Sequence, residues 1–209
     1  MSEPKARARA IMPVLDDVLH WTVRDDRIGF RSDAWALVTP DGHVLIDPLP
    51  LDDSLLGRLS PVMAICLTGG FHQRAAWRLR EHFRAPVWAP EAASGLDGEP
   101  DERYEADDIL PGGLRALHTP GPAHLHFSFL HERDDNRAAL FLGDLLIRPD
   151  EDAPLAFVPD RLQENPRRTR ETVRMLAEEI RPDILFPAHG PAILERGTAA
   201  LLDALARDS

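Results

Sequence analysis

The sequence predicts an α/β fold with two β-sheets and helices outside them. Two observations carry this. First, strand-like runs cluster early, at 18–23, 32–39 and 43–48, and the "PDG" at 40–42 between the last two is a hairpin signal. Second, helix–strand alternation follows and more strand-like runs come after it, an order that suits two sheets better than one doubly wound sheet.

The elements follow in order. Residues 1–13 are charged and read as a loosely docked arm ahead of a single domain, 14–209. Residues 51–59 suit a short helix, and "VMAICLT" (62–68) is a buried strand. Residues 73–84 put Ala76, Leu79, Arg80 and Phe83 on one stripe at helical spacing. "APVWAP" (85–90) is a short strand closed by Pro90, and the polar, turn-rich stretch 91–108 reads as a surface excursion. Strands are expected at 114–119, 126–132 and 138–144. Residues 145–165 are irregular, with Pro149, Pro154 and Pro159, and suit a substrate cover. A long helix at 167–180, a strand at 183–189 and a C-terminal helix at 191–206 complete the chain, which has no internal repeat at the sequence level.

Composition narrows the function. The 209 residues suit one domain, and 44% hydrophobic content gives it a sizeable core. Lys+Arg is 24 against Asp+Glu 35, a net charge of −11, which argues against nucleic acid partners. Lys5 is the only lysine among many arginines, which reads as a GC-rich, bacterial genome. The one cysteine, Cys66, rules out an internal disulfide and a Cys-rich zinc cluster, and its apolar surroundings make it a small buried hydrophobe. The N-terminus lacks the apolar core of a secretory signal, and no run reaches the ~18 apolar residues of a membrane span. The expectation is a cytoplasmic protein with no membrane partner; oligomeric state is not legible.

Polar groups gather where apolar strands end. "AICLT" runs into Gly69, Gly70 and His72, and "LRALHT" into "PGPAHLH", with His118, His124 and His126. "AALFLG" delivers Asp144, and "DILFPA" delivers His189. Histidines and carboxylates at the carboxyl ends of several strands can converge on one crevice. Imidazole with carboxylate, without thiolate, suits zinc, iron or manganese. His20, His43, His82 and His131 lie away from these turns and read as surface residues. There is no Gly-x-Ser-x-Gly elbow, Walker loop or dinucleotide fingerprint.

"LHTPG" (117–121), "LFLGDLL" (140–146), "LFPAHG" (185–190) and "LIDP" (45–48), in this order, resemble the metallo-β-lactamase superfamily, from about residue 18 to the end. The resemblance implies an αββα sandwich of two mixed β-sheets flanked by helices. It also implies small ester or thioester substrates, in the manner of hydroxyacylglutathione hydrolases. The superfamily's Thr-His-x-His-x-Asp-His signature is lost: from Thr68 this chain reads Gly69, Gly70, Phe71, His72, Gln73, Arg74. The histidine of Thr-Pro-Gly-His is replaced by Pro122. Asp144 and His189 stand in the family's places for its bridging carboxylate and last histidine. Thr68, His72 and Arg74 match the Thr-x-x-x-His-x-Arg pattern of a divergent branch with a degenerate metal motif.

The expected site is therefore reduced. His72, Asp144 and His189 are the metal ligands, with Asp144 and His72 catalytic. His124 and His126 are additional ligand candidates. His124 sits two residues past the lost ligand, ~6–7 Å in extended chain, against a metal–nitrogen bond of ~2.0–2.1 Å. Asp47 would fix a histidine tautomer from behind or cap a turn, and Arg74 would orient an anionic substrate. The expected function is a single-metal hydrolase of a small-molecule substrate, using one zinc, iron or manganese ion. The alternative is a catalytically silent, metal-free binding protein on the same fold, in which Arg74 would pair with Asp144 in the metal's stead.

Overall fold

The computed structural model describes residues 3–208. They form two compact units. One runs to Glu105 and takes in Leu110–Gly112; the other takes Ala106–Ile109 and the chain from Gly113.

The first unit is built on a seven-stranded sheet whose order in space is its order in sequence: β1 (Met12–Leu15), β2 (Val18–Asp25), β3 (Phe30–Thr39), β4 (Gly42–Ile46), β5 (Val62–Cys66), β6 (Val87–Pro90) and β7 (Glu102–Tyr104). β1 to β4 pair antiparallel, while β4 to β7 pair parallel. The switch has a local cause. β3 and β4 are joined by the tight Pro-Asp-Gly turn, whereas helix α1 (Asp53–Leu56) and the stretch after it carry the chain back to start β5 alongside β4. Helix α2 (Ala76–Phe83) makes the next crossover and buries Ala76 and Leu79 in a core with Trp21, Leu45, Ile65 and Leu67. Arg80, expected on the same stripe, instead reaches Asp101 at 2.6 Å.

The N-terminal residues depart from the loose arm expected. Ala8 and Ile11 are buried, Ala8 N–H donates to Pro50 O at 2.8 Å, and Asp52 N–H donates to Ala8 O at 3.0 Å. Two apolar residues within an arginine-rich run are enough to seat it, because the chain pairs through its backbone. The excursion at 91–108 likewise contains β7, too short and too charged for its alternation to register.

The second unit holds β8 (Ile109–Leu110), where the chain crosses from one unit to the other, then β9 (Leu114–His118), β10 (Phe127–Glu132) and β11 (Ala138–Gly143). Strands β12 (Leu146–Ile147) and β13 (Ala156–Phe157) pair with each other, and β14 (Ile184–Pro187) joins the main sheet in the order β14–β11–β10–β9–β8. β9 and β10, and β10 and β11, run antiparallel, while β11 and β14 run parallel. Helix α3 (Pro166–Met175) makes that crossover. Asn165 caps it by accepting from Arg168 N–H at 3.0 Å, Pro166 opens it, and a π-turn at Leu176–Ile180 extends it. Helix α4 (Gly197–Arg207) ends the chain. Leu140, Leu142, Leu185, Val173, Leu176 and Leu201 form this unit's core. The stretch 145–165 is clasped: the Arg148 guanidinium donates to Ala153 O at 3.1 Å and to Ala192 O at 2.6 Å. No helix among the described residues is long and apolar enough to cross a membrane.

Candidate metal centre

In the first unit the parallel neighbours β4 and β5 end side by side, with Ile46 opposite Cys66. Asp47 and Thr68 therefore emerge together. Asp47 adopts a left-handed backbone (φ 46°), which asparagine and aspartate tolerate better than most side chains. Its carboxylate accepts Thr68 N–H at 2.8 Å and Thr68 Oγ1–H at 2.6 Å. A short 3₁₀ turn, Gly70–His72, then brings the His72 ring back, so that Nδ1 lies 2.9 Å from Asp47 Oδ2 and 3.0 Å from Thr68 Oγ1. Burial alone would raise the Asp47 pKa; His72, Arg74 and Thr68 together outweigh it and hold the carboxyl below its ordinary value. With Asp47 ionised, the His72 proton belongs on Nδ1 and the lone pair on Nε2, which is the arrangement of a metal-ligating histidine held from behind by a carboxylate.

In the second unit another parallel pair ends side by side, with Gly143 of β11 opposite Pro187 of β14. Asp144 and His189 follow, and His189 Nε2 lies 3.1 Å from Asp144 Oδ1. Backbone geometry shapes both turns. Gly143 has φ +59°, and a Cβ there would fall 2.5 Å from His126 Nε2. Gly190 has φ +133°, and a Cβ there would fall 1.8 Å from Arg148 O. The glycines of "GD" and "HG" are thus demanded by close approach as well as by backbone angle. Arg148 N–H donates to His189 O at 2.9 Å, which fixes the second turn.

The two additional ligand candidates take other places. His126 is fully buried with both ring nitrogens engaged: Nδ1 lies 2.9 Å from Thr119 O and 2.9 Å from Thr119 Oγ1, and Nε2 accepts Asp144 N–H at 2.9 Å. It is a strut, because a nitrogen that accepts a backbone N–H has no lone pair left for an ion. His124 is exposed; its N–H donates to Glu164 Oε2 at 2.7 Å and its ring packs edge-on against His118.

Arg74 also departs from expectation. It is 2% exposed, and its Nη1 donates to Asp33 O at 2.8 Å and Asp47 O at 3.1 Å. A buried guanidinium fastened to two carbonyls braces the Asp47 turn and lends it positive charge. His20, expected at the surface, faces the buried Asp33 carboxylate at 2.7 Å and packs, tilted, against Trp35. Gln73 accepts from Trp77 Nε1–H and from Asp97 N–H, both at 2.7 Å. Cys66 is buried, and burial, then the charge of Asp47, push its thiol pKa up, so the thiolate is disfavoured.

Solved structures place this architecture. A metallo-β-lactamase from Pontibacter korlensis aligns with a TM-score of 0.72 at 18% identity, over 94% of this chain and 98% of that one. The metallo-β-lactamase FIM-1 from Pseudomonas aeruginosa, in its mono-zinc form, aligns at 0.70 and 11% identity, over 100% of this chain and 99% of that one. A third, from Hirschia baltica, aligns at 0.68 and 14% identity, over 96% and 97%. The chain has the metallo-β-lactamase fold. No family model matches the sequence, and no curated protein matches it. In the turn after β5, Gln73 and Arg74 are engaged in bonds that hold the fold, Phe71 is 39% exposed with its ring edge-on to His72, and His72 is held through Nδ1.

Proposed function

We propose that this chain is a metal-dependent hydrolase with a single-ion site made by His72, Asp144 and His189. The observation that carries the reading is the Asp47–Thr68–His72 relay. A buried carboxylate and a hydroxyl both hold one ring by Nδ1, which puts the ring's lone pair on Nε2. The donor pair of the second unit also fits. Two donors on a tetrahedral ion with bonds of ~2.0–2.1 Å stand ~3.3 Å apart, and the Asp144–His189 contact is 3.1 Å. Two histidines and one carboxylate suit zinc, iron or manganese and leave positions open for substrate. The mono-zinc form of FIM-1 lends support, since that protein shares the fold.

A divalent ion held there would supply a Lewis acid and a nucleophilic water near neutral pH. The chain's own residues do the rest. Asp47 keeps the His72 proton on Nδ1 and offsets charge gained at Nε2. Asp144, one quarter exposed, can accept a proton from the attacking water. The exposed ring of Phe71 offers an apolar contact beside His72. A small ester or thioester is the substrate class we assign.

The test is hydrolysis of p-nitrophenyl acetate and of a simple acyl thioester by chelator-treated protein, before and after addition of zinc, manganese or ferrous iron. Activity that returns with an ion and is lost in His72→Ala supports the reading. A specific observation favours the silent alternative: Gln73 and Arg74, at two former ligand places, now serve the fold. No turnover with any ion would turn the reading to that alternative.

A further inference from the structure

Asp144 is held in place by a buried histidine that the reaction itself does not use. His126 is 0% exposed, and it joins two turns of the second unit. Its Nδ1 meets Thr119 O and Thr119 Oγ1, both at 2.9 Å, at the end of β9. Its Nε2 meets Asp144 N–H at 2.9 Å, just past the end of β11. The chemistry fixes the tautomer: a carbonyl can only accept, so Nδ1 carries the proton, and an amide can only donate, so Nε2 carries the lone pair. Thr119 Oγ1 is itself 3.1 Å from Ser128 Oγ, whose hydroxyl donates to Leu142 O at 3.1 Å, so the same chain of bonds returns to β11 two residues before Asp144. Gly143 completes the fit, because any side chain there would collide with the ring.

We infer that His126 is the positioning residue for Asp144. The ring takes up the first amide after the glycine turn, and so sets the direction in which the Asp144 carboxylate leaves the backbone. The consequence for the site follows from this bond: without the ring the Asp144 amide loses that acceptor, and the carboxylate loses its register with His189. His126 therefore raises affinity for the ion without touching it. This inference rests on the single-ion reading above for its functional consequence, but not for the contact itself.

The experiment has two arms. In the metal-free protein, two-dimensional ¹H–¹⁵N spectra read the His126 tautomer and the Asp144 amide. The inference expects a neutral ring protonated on Nδ1, and an Asp144 amide that shifts in His126→Ala more than in His126→Gln, whose side-chain carbonyl can accept the same N–H. In the second arm, Co(II) is titrated into each protein and followed by its visible absorption. Affinity should fall at least tenfold in His126→Ala and stay within about threefold of wild type in His126→Gln. A ring protonated on Nε2, or a folded His126→Ala with unchanged Co(II) affinity, overturns the inference. If His126→Ala does not fold, His126→Gln decides: retained affinity and amide shift support the strut, and loss of both overturns it. Failure of the wild type to bind Co(II) defeats the single-ion reading instead, while the metal-free spectra still decide the contact.

Discussion

Each unit ends a parallel strand pair in an aspartate and a histidine, and the two pairs are held in opposite ways. Asp47 and His72 follow β4 and β5, are nearly buried, and are tied by side chains: Thr68, Arg74 and the carboxylate itself. Asp144 and His189 follow β11 and β14, are 25% and 12% exposed, and are placed by backbone: two glycine turns, an amide on His126 and a carbonyl on Arg148 N–H. In the first pair the carboxylate takes Nδ1 and orients the ring, leaving the lone pair on Nε2. In the second the carboxylate meets Nε2 directly, so both partners are candidates for one ion. A side-chain network suits a residue that must only be aimed, and a backbone-defined turn suits residues that must stay accessible.

The comparison predicts unequal costs of substitution. The largest belongs to Asp47→Ala. It strands the Thr68 amide and hydroxyl, the His72 N–H and the Arg74 charge, and should cost ~3–5 kcal/mol in urea unfolding. Asp144→Ala, partly solvated, should cost about 1 kcal/mol or less; equal losses would erase the distinction. Gly190→Ala comes next. A Cβ 1.8 Å from Arg148 O at a positive φ must displace backbone, and a loss of ~2–3 kcal/mol is expected on the same measurement. A neutral outcome would mean that the His189 turn is looser than described.

Thr68→Val sharpens the first pair alone. It removes one hydroxyl from Asp47 and His72 at similar volume and should cost ~1–2 kcal/mol, while Thr68→Ser restores most of it. The smallest effect is a pH dependence further from the site. Asp33 is buried; burial raises its pKa, but bonds to His20 and Arg31 outweigh it and leave it below 3.8. A depressed folded pKa means stability that is fully present above the ordinary carboxyl value and lost as pH falls through the folded one. Asp33→Asn should therefore flatten the acid limb of a stability–pH profile below about 3.8 and leave its neutral slope unchanged; an unchanged acid limb would mean that His20 and Arg31 do not favour the ionised Asp33 carboxyl in the fold.

Much of this was legible in the sequence. The glycine motifs "GD" and "HG" mark the second pair because backbone crowding admits nothing else, and their neighbours form strands long enough to read. Asp47 could be singled out because "LID" ends a strand beside the one that leads to Thr68. Other features depend on tertiary contact. His126 and His124 look alike as residues two apart in one loop, yet one is sealed under Asp144 and the other faces solvent. Arg74 carries a charge that argues for substrate, and only its burial on two carbonyls argues otherwise. Short strands such as β7 and β12 follow from neighbours that sequence periodicity does not contain.

The most direct measurement is metal content by mass spectrometry on protein purified without chelator or affinity nickel, beside His72→Ala and an Asp144→Ala, His189→Ala double variant. The account predicts about one zinc, iron or manganese per chain, lost in both variants, because the ion needs the aimed ring and the accessible pair together. Wild-type protein that holds no ion even after incubation with each metal, or a full complement retained in His72→Ala, would contradict it.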